Sequence, residues 1–152
     1  MPSALTVFVD SNVLVYSEDG RDERKQDLAI AWLGALWSRQ AGRLSTQVLN
    51  EFYANVTRKA RPPMPQGDAR AEVRRYQRWQ PWQIDHATVE SAWSVEARFG
   101  LNYWDALIVA AAQQQGCAYL LTEDLQHDQQ LDGVRIVNPF VVGPELLDST
   151  PP

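Results

Sequence analysis

The sequence predicts an α/β fold in which a central parallel sheet carries helices on both faces. Short apolar runs rich in Val, Leu and Ile alternate along the chain with longer amphipathic segments, as parallel strands alternate with helices. Two of these runs end directly in polar, acidic turns, which is typical of strand ends. With 152 residues, of which 45% are hydrophobic and 22% charged, the chain is expected to form one globular domain over residues 1–152.

The first strand is predicted at 5–9, where a β-branched apolar run leads into Asp10, Ser11 and Asn12. A short helix is predicted directly after this strand, with Ser11 or Asn12 as its N-cap. A longer amphipathic helix follows at 22–41, because apolar residues recur there at helical spacing.

The rest of the chain continues the alternation of helices and strands. A helix that Thr46 caps at 47–59 ends at 61–65, where three prolines lack the amide donor that a helix needs. The last long helix has an entirely apolar middle, so we expect it to be buried. The remaining predictions are helices at 67–79, 85–99 and 103–115, strands at 82–84, 118–121 and 134–137, and a loosely structured tail over about 143–152.

The composition excludes several classes of protein. A net charge of -5 and a pI near 5.0 exclude a nucleic-acid binder held by overall positive charge. Cys117 is the single cysteine, which excludes an internal disulfide and a zinc site built on several thiolates. The N-terminus lacks the pattern of a secretion signal, and no apolar run is long enough to cross a bilayer. We therefore expect a cytoplasmic protein with no membrane segment.

Four acidic residues fall where an α/β fold gathers ligand-binding groups. Asp10 and Asp124 directly follow two of the predicted strands, and open parallel sheets bind ligands beyond the carboxyl ends of their strands. Glu51 and Asp105 lie on or beside apolar helix faces, where an ionised group is costly unless it is paired or binds a metal. Each of the four also has an ordinary explanation as a turn, capping or solvated residue. Their joint placement favours a shared site.

Carboxylates without histidine or cysteine are the ligands that Mg²⁺ prefers. A metal held in this way can position a phosphodiester and generate hydroxide from bound water. Asn12 and Thr122 stand beside the two strand-end acids and could hold a carboxylate or a water molecule by hydrogen bonds. The residues therefore predict a site for a hard cation, with phosphodiester chemistry as its use.

Four segments resemble those of the PIN-domain ribonucleases, and specifically of the VapC toxins of bacterial toxin–antitoxin pairs. They are Val-Phe-Val-Asp10-Ser-Asn12-Val-Leu-Val-Tyr, Asn-Glu51-Phe, Tyr-Trp-Asp105-Ala-Leu-Ile-Val-Ala-Ala-Ala and Tyr-Leu-Leu-Thr122-Glu-Asp124-Leu. The resemblance extends from Val7 to Phe140 and covers the order, the spacing and the flanking residues of these segments.

The resemblance implies a PIN fold and a site that binds Mg²⁺ or Mn²⁺ and hydrolyses RNA, leaving a 3′-hydroxyl and a 5′-phosphate. It implies a VapB-like antitoxin that blocks the metal site, and a homodimer. Asn12 and Thr122 match the polar accessory positions of the family. The catalytic and metal-binding acids that it implies are Asp10, Glu51, Asp105 and Asp124.

The turn after the fourth acid departs from the family pattern. Many toxins of this type carry a glycine there, whereas this chain continues from Asp124 through Leu125 and Gln126 to His127 and Asp128. Asp128 could be an additional acid for a second metal, but Asp is common in turns, and we expect a solvated turn residue. We expect His127 at the surface.

The basic residues are concentrated between Arg58 and Arg78, where seven basic side chains stand against two acidic ones. That segment carries a charge of +5 and the remainder -10, so a basic strip beside an acidic pocket is compatible with the net charge. We expect the nearby rings of Tyr76, Trp79 and Trp82 to pack in the core and not to stack on bases. The candidate contacts to RNA phosphates are Arg70, Arg74, Arg75 and Arg78.

Other functions remain open from the sequence. A haloacid-dehalogenase-like phosphotransferase needs a second Asp where Asn12 stands, and a receiver domain needs a lysine after a late strand, whereas the only lysines are Lys25 and Lys59. A non-catalytic PIN-like module that binds RNA or protein is the main alternative. The complete set of four acids favours an enzyme, because clustered acids accompany active sites. We therefore expect a metal-dependent endoribonuclease toxin.

Overall fold

The structure is a computed structural model that describes residues 5–149. The strands are β1 (Val7–Val9), β2 (Gly42–Arg43), β3 (Tyr119–Leu121), β4 (Gln130–Leu131) and β5 (Val134–Val137). The helices are α1 (Ser11–Glu18), α2 (Glu23–Arg39), α3 (Thr46–Arg58), α4 (Gln66–Arg75), α5 (His86–Phe99), α6 (Tyr103–Gln114) and α7 (Leu146–Ser149). The residues outside the described range, 1–4 and 150–152, include the N-terminus and the end of the predicted tail.

The sheet places the carboxyl ends of β1 and β3 side by side. Its strand order is β2-β1-β3-β5-β4, and the β2/β1, β1/β3 and β3/β5 pairs are parallel. The chain leaves β1 towards β2 on one side, and it leaves β3 towards β5 on the other side. Neighbouring strands whose connections diverge in this way open a crevice at the carboxyl edge of the sheet, where ligands bind in such folds.

Both faces of this sheet are covered. Every residue of β1 and β3 is buried, and successive strand side chains point to opposite faces. The middle of α6, Ala106–Ala112, is buried on all sides, as its apolar sequence predicts. The predicted α/β class, with a mostly parallel sheet and packed helices, is confirmed. None of the helices within residues 5–149 has the length and apolar character that a membrane span requires.

Two helix caps lie one or two residues before the predicted positions. Asp10, and neither Ser11 nor Asn12, caps α1, and its side chain accepts from the Ser11 amide. Ser45 caps α3 in place of Thr46 and accepts from the amide of Val48 at 3.3 Å. In both cases the capping residue has extended backbone, which aims its side chain at the first amides of the helix.

The edge strand β4 is absent from the sequence-based prediction. It pairs antiparallel with β5 through a tight turn at Asp132 and Gly133, which have φ values of 50° and 92°. A two-residue turn with positive φ at both positions matches the twist of paired strands, and an Asp-Gly dipeptide favours it. This dipeptide is therefore the sequence signal that predicts the hairpin.

Three other segments differ from the predictions. The helix predicted at 67–79 is α4 followed by a 3-10 turn at Tyr76–Trp79, and the strand predicted at 82–84 is a single parallel bridge between Ser45 and Trp82. The tail predicted to be loosely structured contains α7. Leu147 of α7 is buried, and Asp148 forms an ion pair with Arg39, so the prediction is wrong for this helix.

An aromatic cluster covers the edge strand β2. The rings of Trp37 and Trp79 are 4.9 Å apart, as are those of Tyr76 and Trp79. The Trp79 ring lies directly over Gly42, where an added Cβ would stand 2.4 Å from ring atoms. Only glycine permits this approach, so residue 42 determines how closely the 3-10 turn packs on the sheet.

We predict that Gly42→Ala lowers the free energy of unfolding by about 1–3 kcal/mol, because Trp79 must move to admit the methyl group. Gly34→Ala is the matched control, since residue 34 is exposed within α2 and an added Cβ there meets nothing within 4 Å. The control should raise the free energy of unfolding by about 0.5–1 kcal/mol, because alanine favours helix. Equal stability of Gly42→Ala and wild type in urea unfolding would contradict the packing described for Trp79.

Candidate active site

Asp10 lies at the centre of the candidate site. It follows β1 and caps α1, and only 6% of its surface is exposed. Its Oδ1 atom accepts from the Ser11 amide at 2.7 Å, and its Oδ2 atom accepts from the Thr122 hydroxyl at 2.9 Å. The carboxylate is therefore buried, with both oxygens held by donors from the ends of β1 and β3.

The Thr122 hydroxyl joins the two strand ends. Besides donating to Asp10, it accepts from Asn12 Nδ2 and from the amide of Asp124, both at 3.1 Å. Asn12 Nδ2 also lies 3.0 Å from Asp124 Oδ2 and 3.5 Å from Asp10 Oδ2. The two residues predicted as accessory groups thus connect the first and fourth acids.

Glu51 reaches the same site from α3. Its Oε1 atom accepts from the Ser11 hydroxyl at 3.0 Å, and its Oε2 atom lies 3.4 Å from Gln47 Nε2, one turn earlier in the helix. Gln47 Nε2 also donates to the carbonyl of Trp104 at 3.2 Å. Glu51 is therefore tied to α1 through Ser11 and to the start of α6 through Gln47.

Asp105 lies in the first turn of α6, beside the Asn102 cap. Asn102 Oδ1 accepts from the Asp105 amide at 3.0 Å, and Asn102 Nδ2 donates to Asp105 Oδ2 at 2.8 Å. This reciprocal pair orients the carboxylate as a capping box does. The capping explanation of Asp105 is therefore confirmed, and its role in the metal site stays a prediction.

Burial and neighbouring acids raise the pKa of two of the four acids, Asp10 and Asp105. Burial raises the pKa of Asp10 to about 7, the hydrogen bonds from Thr122 and Ser11 oppose this shift, and the charges of Glu51 and Asp124 add to it. Burial also raises the pKa of Asp105, and the charge of Asp124 adds to this effect. The cluster thus places negative charge where water cannot solvate it fully.

A hard divalent cation fits this donor set. Within residues 5–149, no group of three or more Asp, Glu, His or Cys side chains is arranged to hold a metal ion. Mg²⁺ commonly keeps several water molecules and uses only one or two carboxylates, so a closed cage is not required. The donors present are oxygen atoms, and the buried Asp10 carboxylate next to two further acids is a group whose charge a cation would offset.

Two cavities adjoin the acids on different sides. The first, of about 320 Å³, is lined by Asn12 and Asp124 together with the basic residues Arg21 and Lys59. The second, of about 370 Å³, is lined by Glu51 together with Trp104 and Leu107.

The four arginines proposed from the sequence form two groups. Arg70 and Arg74 line a groove of about 270 Å³ between α3 and α4, where Arg70 Nε donates to the Tyr53 hydroxyl at 3.2 Å. Arg75 forms an ion pair with Glu72 at 2.9 Å and stacks 4.5 Å from the Trp37 ring centroid. The remaining one, Arg78, lines a separate cavity of about 440 Å³ beside Trp37 and Trp79.

Asp128 and His127 are held by contacts outside the acid cluster. Asp128 pairs with Arg135 of β5, and this guanidinium lowers the pKa of Asp128 below its ordinary value. His127 Nδ1 accepts from the amide of Asn138 at 3.0 Å. Both residues therefore lie in the connection between β3 and β4, which agrees with the expected role of Asp128 as a turn residue.

Comparison with known proteins identifies the family. A family model described as PIN domain matches residues 7–130. The chain belongs to the PIN domain family. No curated protein matches it significantly in sequence.

Solved structures share the fold of this PIN domain. Mycobacterium tuberculosis VapC20, described as a toxin that cleaves the sarcin-ricin loop, is 20% identical over 76% of this chain and 87% of its own, with a TM-score of 0.58. A toxin–antitoxin complex from Klebsiella pneumoniae is 17% identical over 88% of this chain and 98% of the matched chain, with a TM-score of 0.62. VapBC2 from Rickettsia felis, bound to a promoter DNA fragment, is 13% identical over 87% of this chain and 97% of the matched chain, with a TM-score of 0.56. The PIN fold expected from the sequence is confirmed.

Several residues that organise the site of this PIN domain were not singled out from the sequence. Ser11 and Gln47 hold Glu51, and Lys59 and Arg21 line the cavity beside Asp124. Gln47 stands four residues before Glu51, which places the two side chains on one face of α3 and is a usable signal. The positions of Arg21 and Lys59 depend on tertiary packing, which local sequence patterns do not reveal.

We predict that Asp10 and Thr122 are coupled in a double-mutant cycle. Thr122→Val removes the hydroxyl but keeps the side-chain shape, and Asp10→Asn removes the charge. The coupling free energy should be about 1.5–3 kcal/mol in urea unfolding at pH 8.5, because a hydrogen bond to an ionised group is lost.

Thr88→Val provides the control cycle with Asp10→Asn. Thr88 is also fully buried, and its hydroxyl donates at 2.7 Å to Asp85, which is not one of the four acids of the candidate site. Its coupling with Asp10 should stay within about 0.5 kcal/mol, as expected for independent sites. The same coupling in both cycles would contradict a specific bond between Asp10 and Thr122.

Proposed function

We propose that this PIN domain is a divalent-metal-dependent endoribonuclease and acts as the toxin of a toxin–antitoxin pair. The observation that supports the proposal is the buried Asp10 carboxylate at the crevice between β1 and β3. Hydrogen bonds through Ser11 connect it to Glu51, and hydrogen bonds through Thr122 and Asn12 connect it to Asp124. A family of nucleases and structural neighbours described as VapC and VapBC proteins agree with this assignment. The reaction is the hydrolysis of an RNA phosphodiester, with a 3′-hydroxyl and a 5′-phosphate as its products.

Asp10, Glu51, Asp105 and Asp124 would hold Mg²⁺ or Mn²⁺, directly or through water molecules. The bound cation would supply a nucleophile by lowering the pKa of a water molecule and would stabilise the leaving oxygen. Thr122 and Asn12 keep the carboxylates of Asp10 and Asp124 oriented, since each donates to one of them. Hydrogen-bonded supporting residues of this kind tune a metal site without binding the metal.

The phosphate backbone of the RNA needs cationic partners, which the acids cannot supply. Lys59 is exposed at the end of α3 and lines the cavity that contains Asp124, so its ammonium can meet a phosphate next to the scissile bond. Arg70 and Arg74 offer guanidinium groups along the groove on the other side of α3. Arg75 and Arg78 are proposed as more distant contacts, because both flank the Trp37 ring or its cavity.

The partners of the proposed toxin are a VapB-like antitoxin and a second copy of the chain. The neighbours from Klebsiella pneumoniae and Rickettsia felis are described as assemblies that include an antitoxin, which supports the first partner. Exposed apolar side chains on α2 and α5, Ile30 and Trp93, offer contact surface for the assembly. An antitoxin that covers the crevice would block access of RNA to the acids.

We predict that the purified, antitoxin-free chain cleaves structured RNA in the presence of Mg²⁺ or Mn²⁺ and that EDTA stops the cleavage. Asp10→Asn and Asp105→Asn should each reduce the cleavage rate by at least about a hundredfold, because each removes a charged group from the metal site. Asp27→Asn is the matched control, since Asp27 is an exposed acid on α2 outside the cluster. The rate is measured by gel analysis of end-labelled RNA.

Cleavage that persists in EDTA, or in both cluster variants, would contradict the proposed mechanism. Absence of cleavage by the wild type over a wide panel of RNAs, with RNA binding retained, would favour the non-catalytic binding module. Product ends that resist a 3′-hydroxyl-dependent ligation would contradict the proposed bond cleavage.

A further inference from the structure

The side chain of Trp104 is exposed directly beside the acid cluster. It precedes Asp105 in the first turn of α6, and 64% of its surface is accessible. Exposed tryptophan is unusual, because the large apolar ring is normally packed. The Tyr103 ring meets it edge-on at 5.2 Å, with an interplanar angle of 66°. This contact limits the motion of the indole and leaves surface of the ring open to a ligand.

Trp104 forms one wall of the second cavity at the acids, which has a volume of about 370 Å³. The apolar side chains of Ile84 and Leu107 form further parts of its lining. Glu51 contributes an acid of the proposed catalytic cluster to the same cavity, and Gln47 bonds both Glu51 and the Trp104 carbonyl. Gln47 therefore connects the backbone at Trp104 to one acid of the cluster.

Polar groups in this cavity can recognise a planar, hydrogen-bonding ligand. Within residues 5–149, the buried Gln47 Oε1 atom has no hydrogen-bond partner, and the neighbouring amide of Asn50 is exposed. Asn50 also lines the groove that contains Arg70 and Arg74. One residue thus connects an apolar, amide-bearing cavity to a cationic groove.

We propose that an unpaired base of the RNA substrate stacks on Trp104 in this cavity, next to the scissile phosphate, and makes Trp104 a specificity-determining residue. The inference rests on the proposed ribonuclease function. A nucleobase has the required planar apolar faces and polar edges, and stacking on an aromatic ring is the usual way in which proteins bind unpaired bases. The strand continues over Asn50, and its phosphates meet Arg70 and Arg74. This adjacent positive charge favours a nucleic acid over an apolar protein segment.

The test measures binding of fluorescently labelled single-stranded oligoribonucleotides by anisotropy in EDTA, so that cleavage does not interfere. Trp104→Ala should weaken binding roughly tenfold or more, as expected for loss of one stacked base. Trp104→Phe, which keeps an aromatic face, should bind within about threefold of the wild type. Val141→Ala is the control, because Val141 is an exposed apolar residue, with 66% of its surface accessible, and lies outside the cavity lining. It should bind RNA as the wild type does.

The salt dependence of binding separates stacking from phosphate contacts. Trp104→Ala should leave the slope of log affinity against log salt concentration unchanged, whereas Arg70→Gln combined with Arg74→Gln should make it shallower. An oligoribonucleotide with one abasic ribose at the stacked position should lose affinity for the wild type but not for Trp104→Ala. Loss of the same affinity from both proteins would overturn the inference.

Other outcomes distinguish this inference from the proposed function. Wild-type affinity in Trp104→Ala would overturn the role of Trp104 while leaving the ribonuclease proposal intact. Light scattering compares the mass of the Trp104→Ala protein in solution with that of the wild type. A lower mass for the variant, with unchanged RNA affinity, would overturn the inference and show that a second copy of the chain covers Trp104. Failure of the wild type to bind any RNA would instead contradict the proposed function itself.

Discussion

Burial of the Asp10 carboxylate among other acids is the constraint on which the rest of the site depends. The position follows from the fold, because the residue after β1 must enter the crevice beside β3 and also cap α1. Burial and the neighbouring carboxylates oppose ionisation and raise its pKa to about 7, so the arrangement is unfavourable without compensating charge. Hydrogen bonds from Ser11 and Thr122 offset part of this cost. In the proposed metal site, a divalent cation would offset the rest of this cost.

The surrounding structure distributes positive and aromatic groups around this negative centre. Lys59 lies at one side of the acids, the Trp104 ring at another, and the groove of Arg70 and Arg74 continues from the Trp104 cavity. The net charge of -5 therefore describes the whole chain poorly, because cationic and anionic residues occupy different surfaces. The proposed RNA substrate would be complementary to this arrangement, since phosphates pair with cations and unpaired bases stack on aromatic rings.

The sequence predicts the fold class and the principal acids because both depend on short-range patterns. An apolar run that ends in Asp10 indicates a strand end, and the apolar middle of α6 indicates burial. The structure also brings Asn12 and Thr122 together as those patterns and the family resemblance imply. Contacts between distant segments are harder to predict from the sequence. The split of the arginines into two groups and the exposure of Trp104 both result from helix packing. The sequence does not single out Asp10 as the cap, because three consecutive polar residues are all competent N-caps and only backbone geometry selects one.

The most direct test of cation binding by the acids is an anomalous difference map from crystals of the wild-type chain soaked in Mn²⁺. The account predicts a peak in the crevice between β1 and β3, within direct or water-mediated reach of Asp10, and no such peak in Asp10→Asn. The donors around it should be oxygen atoms, as expected for a hard cation. A map without a peak at these acids, or with Mn²⁺ bound only elsewhere, would contradict the claim that the acid cluster is a metal site.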